Sequence, residues 1–150
     1  MDEKTIRAMK KAELHRHIEG CVRVGTVIDL ARRHNLKLPS FDPAVLELSY
    51  KLRAPGASLS AVLGMFGLAQ ASFASYEAAE RITFEALEDA YNKENIRLLE
   101  LRYSPDFMLR SAALDWQRAH ELIAATCAKF EKNSNLVCGV ILIASRSYGL

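Results

Sequence analysis

Three short apolar stretches punctuate a chain that otherwise reads as helices. "KAELH" at 11–15 is brief and runs into the turn-like "EGC", and it predicts a first strand. "IRLLELR" at 96–102 is dense in aliphatics, with Pro105 close behind, and predicts a buried strand. "LVCGVILIA" at 136–144 is β-branched and apolar throughout, which predicts a strand buried on both faces. Between them the apolar positions recur at helical spacing. Val27, Ile28, Leu30 and Ala31 form one face of "TVIDLARRHN", which stops near Asn35, before Pro39. "FDPAVLELSYKL" has Asp42 as a cap and Pro43 in its first turn. "PGA" at 55–57 breaks the chain, and Ser58 then caps the Ala-rich "LSAVLGMFGLAQASF". Ser75 opens "YEAAERITFEALEDAYNKEN", with Ala79, Ile82, Ala86, Leu87 and Ala90 on one side and acids and Arg81 on the other. Asp115 caps "WQRAHELIAATCAKFEK", with Trp116, Ala119, Leu122, Ile123 and Phe130 inward.

Strand, several helices, strand, helix, strand is the order of an α/β protein with a parallel sheet. The helical cluster after the first strand is an insertion relative to a minimal βα unit. No internal repeat or low-complexity segment interrupts it. The 150 residues suit one domain, and half of them are hydrophobic and a quarter charged, as in a globular chain. A formal net charge of +2, with no basic cluster longer than Arg32-Arg33 or Lys10-Lys11, does not point to nucleic acid or an acidic membrane surface. Nothing approaches a membrane span, and "MDEKTIRAMKK" lacks the apolar core of a secretory signal. Cys21, Cys127 and Cys138 are odd in number and form no C-x-x-C pair, so a reducing, cytoplasmic setting is expected.

If the three strands are correctly placed, polar residues gather at one rim. His15 and His17 end the first strand, Arg102, Tyr103 and Ser104 the second, and Ser145, Arg146 and Ser147 the third. Sites in α/β barrels and open sheets form at that C-terminal edge. H-x-H on an extended chain puts both imidazoles on one side, and neutral imidazole suits zinc. Two ligands do not complete a site, and paired surface or capping histidines have the same spelling. His34 and His120 sit in helices and read as solvated or packed residues. His17-Ile18-Glu19 also matches the H-x-E half of the cytidine-type zinc deaminases, but the P-C-x-x-C that class requires is missing.

Taken together, "ELHRHIEGCVRVGTVIDLARRHNL", "SLSAVLGMF", "ENIRLLELRYSP" and "GVILIASRS" resemble, in order, four motifs of the adenosine deaminase family. The resemblance runs from about Lys11 to the last residue. It implies the N-terminal part of a (β/α)8 TIM-type barrel and a zinc-dependent hydrolysis that removes the C6 amino group of a purine nucleoside. On that pattern His15 and His17 are zinc ligands, forming a partial Zn2+ site. Glu19 corresponds to an acid that hydrogen-bonds the ribose, where the animal enzymes carry Asp. Leu59, Val62, Leu63 and Phe66 correspond to the apolar helix over the purine, with Val62 in place of the more usual Phe; core packing is the competing role. Arg102, Ser104 and Arg146 look like structural rim residues, with an ion pair behind the site the expected role for the two arginines. Ser147 stands where the family often has His.

The family's third zinc-binding His, its catalytic Glu in an H-A-G-E type motif, its second catalytic His and its later Asp pair have no counterpart among these residues. The expectation is therefore a single incomplete deaminase-like domain over 1–150, with no catalytic residue of its own and no activity alone. An open barrel edge at "LVCGVILIA" predicts self-association. Adenosine, adenine and aminofutalosine remain open as substrates. A non-catalytic remnant or interaction module, and another metal-dependent hydrolase such as a phosphoesterase, are the competing readings.

Overall fold

The computed structural model describes residues 2–50, 59–106 and 113–144. Within them the chain forms a three-stranded parallel sheet in the order β1-β2-β3, made of Lys11–His17, Ile96–Tyr103 and Val137–Leu142. Helices α1 (Glu3–Ala8), α2 (Val24–His34), α3 (Pro43–Tyr50), α4 (Leu59–Ala71), α5 (Tyr76–Asn92) and α6 (Trp116–Lys132) accompany it. A 3-10 turn, Ile18–Cys21, follows β1 directly.

The caps read from sequence form where they are described. Asp42 Oδ1 accepts from the amides of Ala44 and Val45 at 2.8 and 3.2 Å, Ser75 caps α5 through Ala78, and Asp115 caps α6 through Arg118. Ser58 lies outside the described residues. Asn35 adopts φ 54° and stops α2 in a left-handed C-cap, a conformation that Asn tolerates better than most residues. One element has no signal in the sequence pattern. Helix α1 is capped by Asp2 but buries no residue, so it leaves no apolar period to read.

Two apolar clusters join the helices to the sheet. Ile18, Val27, Leu46, Phe73, Ile82, Tyr103 and Ile123 belong to the first, which draws on α2, α3 and the ends of α4, α5 and α6. Leu87, Leu99, Leu101, Cys127 and Leu136 belong to the second, under the other ends of α5 and α6. On β2 the alternation is clear: Leu99, Leu101 and Tyr103 are buried under the helices, while Leu98, Glu100 and Arg102 point to the opposite face.

Exposure corrects two expectations. Residues 136–144 are not buried on both sides, because the described helices cover only one face of the sheet and β3 is an edge strand. Val137 is 58% exposed and Leu142 41%. Trp116 does not turn inward either. As the first residue of α6 it lies beyond the part of the helix that meets the core, and it is 47% exposed, whereas Ala119 and Ile123 are fully buried.

Candidate metal centre and its cleft

The strand-end histidines are positioned by what lies between them. β1 pairs with β2 so that Arg16 stands beside Leu101, on the helix-covered side, and His17 beside Arg102, on the uncovered side. Arg16 is fixed there by a two-pronged ion pair: its guanidinium donates to both Glu94 oxygens, at 2.7 and 2.6 Å. With the residue between them pinned to one face, His15 and His17 share the other, and their ring centroids lie 5.3 Å apart. The strand extends to His17, two residues past the predicted end.

Burial, then the neighbouring His15 and Arg102, hold the His17 imidazole below its ordinary pKa. A neutral ring is the form that binds a metal. The two histidines thus fit a divalent metal as a pair of nitrogen donors on one face. Among the described residues no third His, Cys, Asp or Glu joins them in a metal-holding group.

Glu19 follows in the 3-10 turn and is 3% exposed. Burial pushes its carboxyl up to about 7, against hydrogen bonds from its own amide, the Ser104 amide and the Gln70 side chain that act the other way. Oε2 is buried with no hydrogen-bond partner among the described residues, 3.9 Å from His17 Nδ1. Ser104 Oγ is a second buried oxygen without a partner among the described residues. Two such atoms at a strand end are costly in a packed core and useful where a polar ligand can satisfy them.

Helix α4 closes this corner. The Phe66 ring meets the His17 ring edge-on, with centroids 5.8 Å apart, and its Cε1 lies 3.7 Å from where a Cβ on Gly20 would sit. Gln70 is one turn further along the same helix face, which carries its amide to Glu19. His15, His17, Gly20 and Phe66 line an open cleft of about 500 Å³, with Arg16, Cys21, Ala86, Asp89 and Glu94 around it.

The structure therefore gathers His15, His17, Glu19, Phe66, Arg102 and Ser104. Arg102 donates to the Leu14 carbonyl at 3.0 Å and, among the described residues, pairs with no carboxylate. The Ser104 amide faces the Glu19 carboxylate. The α4 backbone runs through Leu59, Val62 and Leu63, but their side chains lie outside the described residues, as does Arg146. Gln70 escapes sequence reasoning; its one signal is the four-residue spacing from Phe66. His120 is a packed residue, its Nδ1 3.0 Å from the Tyr103 hydroxyl.

A parallel α/β sheet with H-x-H at the end of its first strand matches the N-terminal part of the TIM-type barrel of amidohydrolase-fold structures. The family model for adenosine deaminase matches residues 10–149, and the chain belongs to that family. It is 31% identical over 144 residues to the adenosine deaminase of Pseudoalteromonas translucida, covering 96% of this chain and 43% of that protein. It is 41% identical over 97 residues to that of Vibrio vulnificus, 65% of this chain and 29% of the relative. Among solved structures, an adenine deaminase from Arthrobacter aurescens superimposes with a TM-score of 0.73 at 25% identity, over 89% of this chain and 38% of its own. A zinc-bound amidohydrolase from Burkholderia ambifaria shares the fold with the same TM-score at 24% identity, over 93% of this chain and 36% of its own. The chain thus spans less than half the length of these relatives.

Proposed function

We propose that these residues form the first part of the active site of a zinc-dependent purine deaminase that acts on a nucleoside such as adenosine. One juxtaposition carries the reading: the paired imidazoles of His15 and His17 and the Phe66 ring line one cleft, and the buried Glu19 Oε2, without a hydrogen-bond partner among the described residues, lies 3.9 Å from His17 Nδ1. His15 and His17 would hold the zinc, which when bound supplies an activated water for attack at purine C6. Glu19 Oε2 would accept a ribose hydroxyl, with Gln70 and the Ser104 amide holding the carboxylate still. Phe66 and the rest of α4 would cover the base and exclude water. Family membership and the deaminase neighbours support the reaction class. The setting we infer is cytoplasmic purine metabolism.

These residues supply two ligands and no acid/base, so we propose that the 150-residue chain does not turn over substrate alone. Zinc content after dialysis tests the ligand assignment. The wild-type chain should retain more zinc than His15→Ala, and equal retention would remove the assignment. Zinc-dependent release of ammonia from adenosine by the purified chain would overturn the proposed inactivity.

The Arthrobacter neighbour favours a second reading, in which the free base adenine is the substrate. Binding measured by calorimetry separates the two. If Glu19 reads a ribose, Glu19→Leu weakens adenosine and leaves adenine unchanged; equal losses favour the free base.

A further inference from the structure

We propose that Cys127 and Cys138 form a reactive dithiol that closes into a disulfide by exchange with a low-molecular-weight disulfide, stapling α6 to β3. The site lies on the opposite sheet edge from the histidines and plays no part in the deaminase reading.

The packing brings the two residues together. Cys127, in the last third of α6, is 3% exposed in the second apolar cluster, and Cys138, the second residue of β3, packs against that same cluster. Glu131 lies one helical turn beyond Cys127 on the same face, and its Oε1 accepts the Cys138 amide at 2.6 Å. The turn of α6 that carries Cys127 is therefore laid over the start of β3. Cys138 Sγ donates to the Gly139 carbonyl at 3.6 Å, and the proximity of the two thiols raises Cys127 above and holds Cys138 below the ordinary thiol value. Their roles divide accordingly. Cys138 is partly exposed on an edge strand and is the more readily ionised, so it is the attacking group; Cys127 is shielded and resolves.

The exchange balances in two steps. The Cys138 thiolate attacks one sulfur of R–S–S–R, forming a mixed disulfide and releasing R–S⁻. Cys127 then loses its proton and attacks Cys138 Sγ, and the second R–S⁻ leaves and takes up that proton. The two protein thiols give up two electrons, and the small disulfide is reduced to two thiols. Cys21 stands apart at the end of the 3-10 turn after β1, its Sγ donating to the His17 carbonyl at 3.3 Å, and serves as an internal reference.

Treating the native 150-residue chain with glutathione disulfide, then alkylating it and mapping peptides by mass spectrometry, tests the pair. The expected result is a chain lighter by two hydrogens, with the peptides of Cys127 and Cys138 joined and Cys21 alkylated. Cys127→Ala should instead trap glutathione on Cys138, and Cys138→Ala should leave Cys127 unmodified. Three alkylated cysteines after treatment of the folded wild type, or a link that involves Cys21 or a second chain, would overturn the proposal without any variant having to fold.

Discussion

At the residue scale, Tyr103 shows how a motif letter becomes a physical requirement. It ends β2, is fully buried, and places its hydroxyl 3.0 Å from His120 Nδ1 on α6. Burial drives the hydroxyl well above its ordinary pKa, so it remains a neutral donor. Tyr103→Phe keeps the ring in the core and removes only the bond that ties the strand end to the helix. The loss should be about 1 kcal/mol in denaturant unfolding, with the fold retained. An unchanged midpoint would mean that the hydroxyl contributes nothing. The histidine pair is legible in the sequence alone, because period-two geometry needs only the letters H-x-H and an extended chain. Its surroundings are not. Gln70 and Ser104 reach Glu19 from positions 51 and 85 residues further along the chain, and no local pattern encodes that meeting.

At the scale of elements, periodicity locates β2, β3, α2, α5 and α6 because each buries a face against something else, and it misses α1 because that helix buries none. It overstates the burial of β3, since an apolar run reads the same whether one or both faces are covered. What it cannot supply is the clamp that sets α2 against α5. Arg23 donates to Asp89 and Glu88 at 2.5 and 2.6 Å, Arg81 bridges Asp29 and Glu85, and the Thr26 hydroxyl donates to Glu85 at 2.6 Å. The Arg81 hydrogen bond leads in holding Asp29 below its ordinary value of 3.8. Burial would raise Asp89, but bonds from Arg23 and Lys93 outweigh it and hold that carboxyl low as well. A carboxylate lowered on folding contributes stability above its unfolded pKa, and that contribution fades as pH falls through the folded value. The stability gap between wild type and Arg81→Met should therefore be widest near neutral pH and narrow below about pH 4. Thermal midpoints collected from neutral to acid pH check this, and a gap that stays constant would show that Arg81 acts by packing alone.

At the scale of the whole molecule, the sheet has two unlike edges and one face that the described helices leave bare. β1 carries Lys11, Glu13 and Arg16, and the Arg16–Glu94 pair crowds its border with charge, a common guard against edge-to-edge pairing. β3, "VCGVIL", carries no charge at all. In the register of the sheet Ala12, Leu98 and Val137 form one row, and Leu98 and Val137 are 41% and 58% exposed on the face the described helices leave uncovered. A completed barrel fills its interior with layers of such side chains, so this face is built to be covered. The relatives, of which this chain spans less than half, suggest what would cover it. With the 150-residue chain alone, the cheapest cover is another copy, through the unguarded β3 edge and the apolar row beside it. Sedimentation should then show association that grows with concentration, and Val137→Lys should shift it towards monomer. The charge would sit on the edge strand itself, where burying it against a second copy costs more than the contact returns. Circular dichroism should be unchanged, because the Val137 side chain supports nothing beneath it. If Val137→Lys associates as strongly as wild type, the contact runs through some other surface, and the open β3 edge is not what draws copies together.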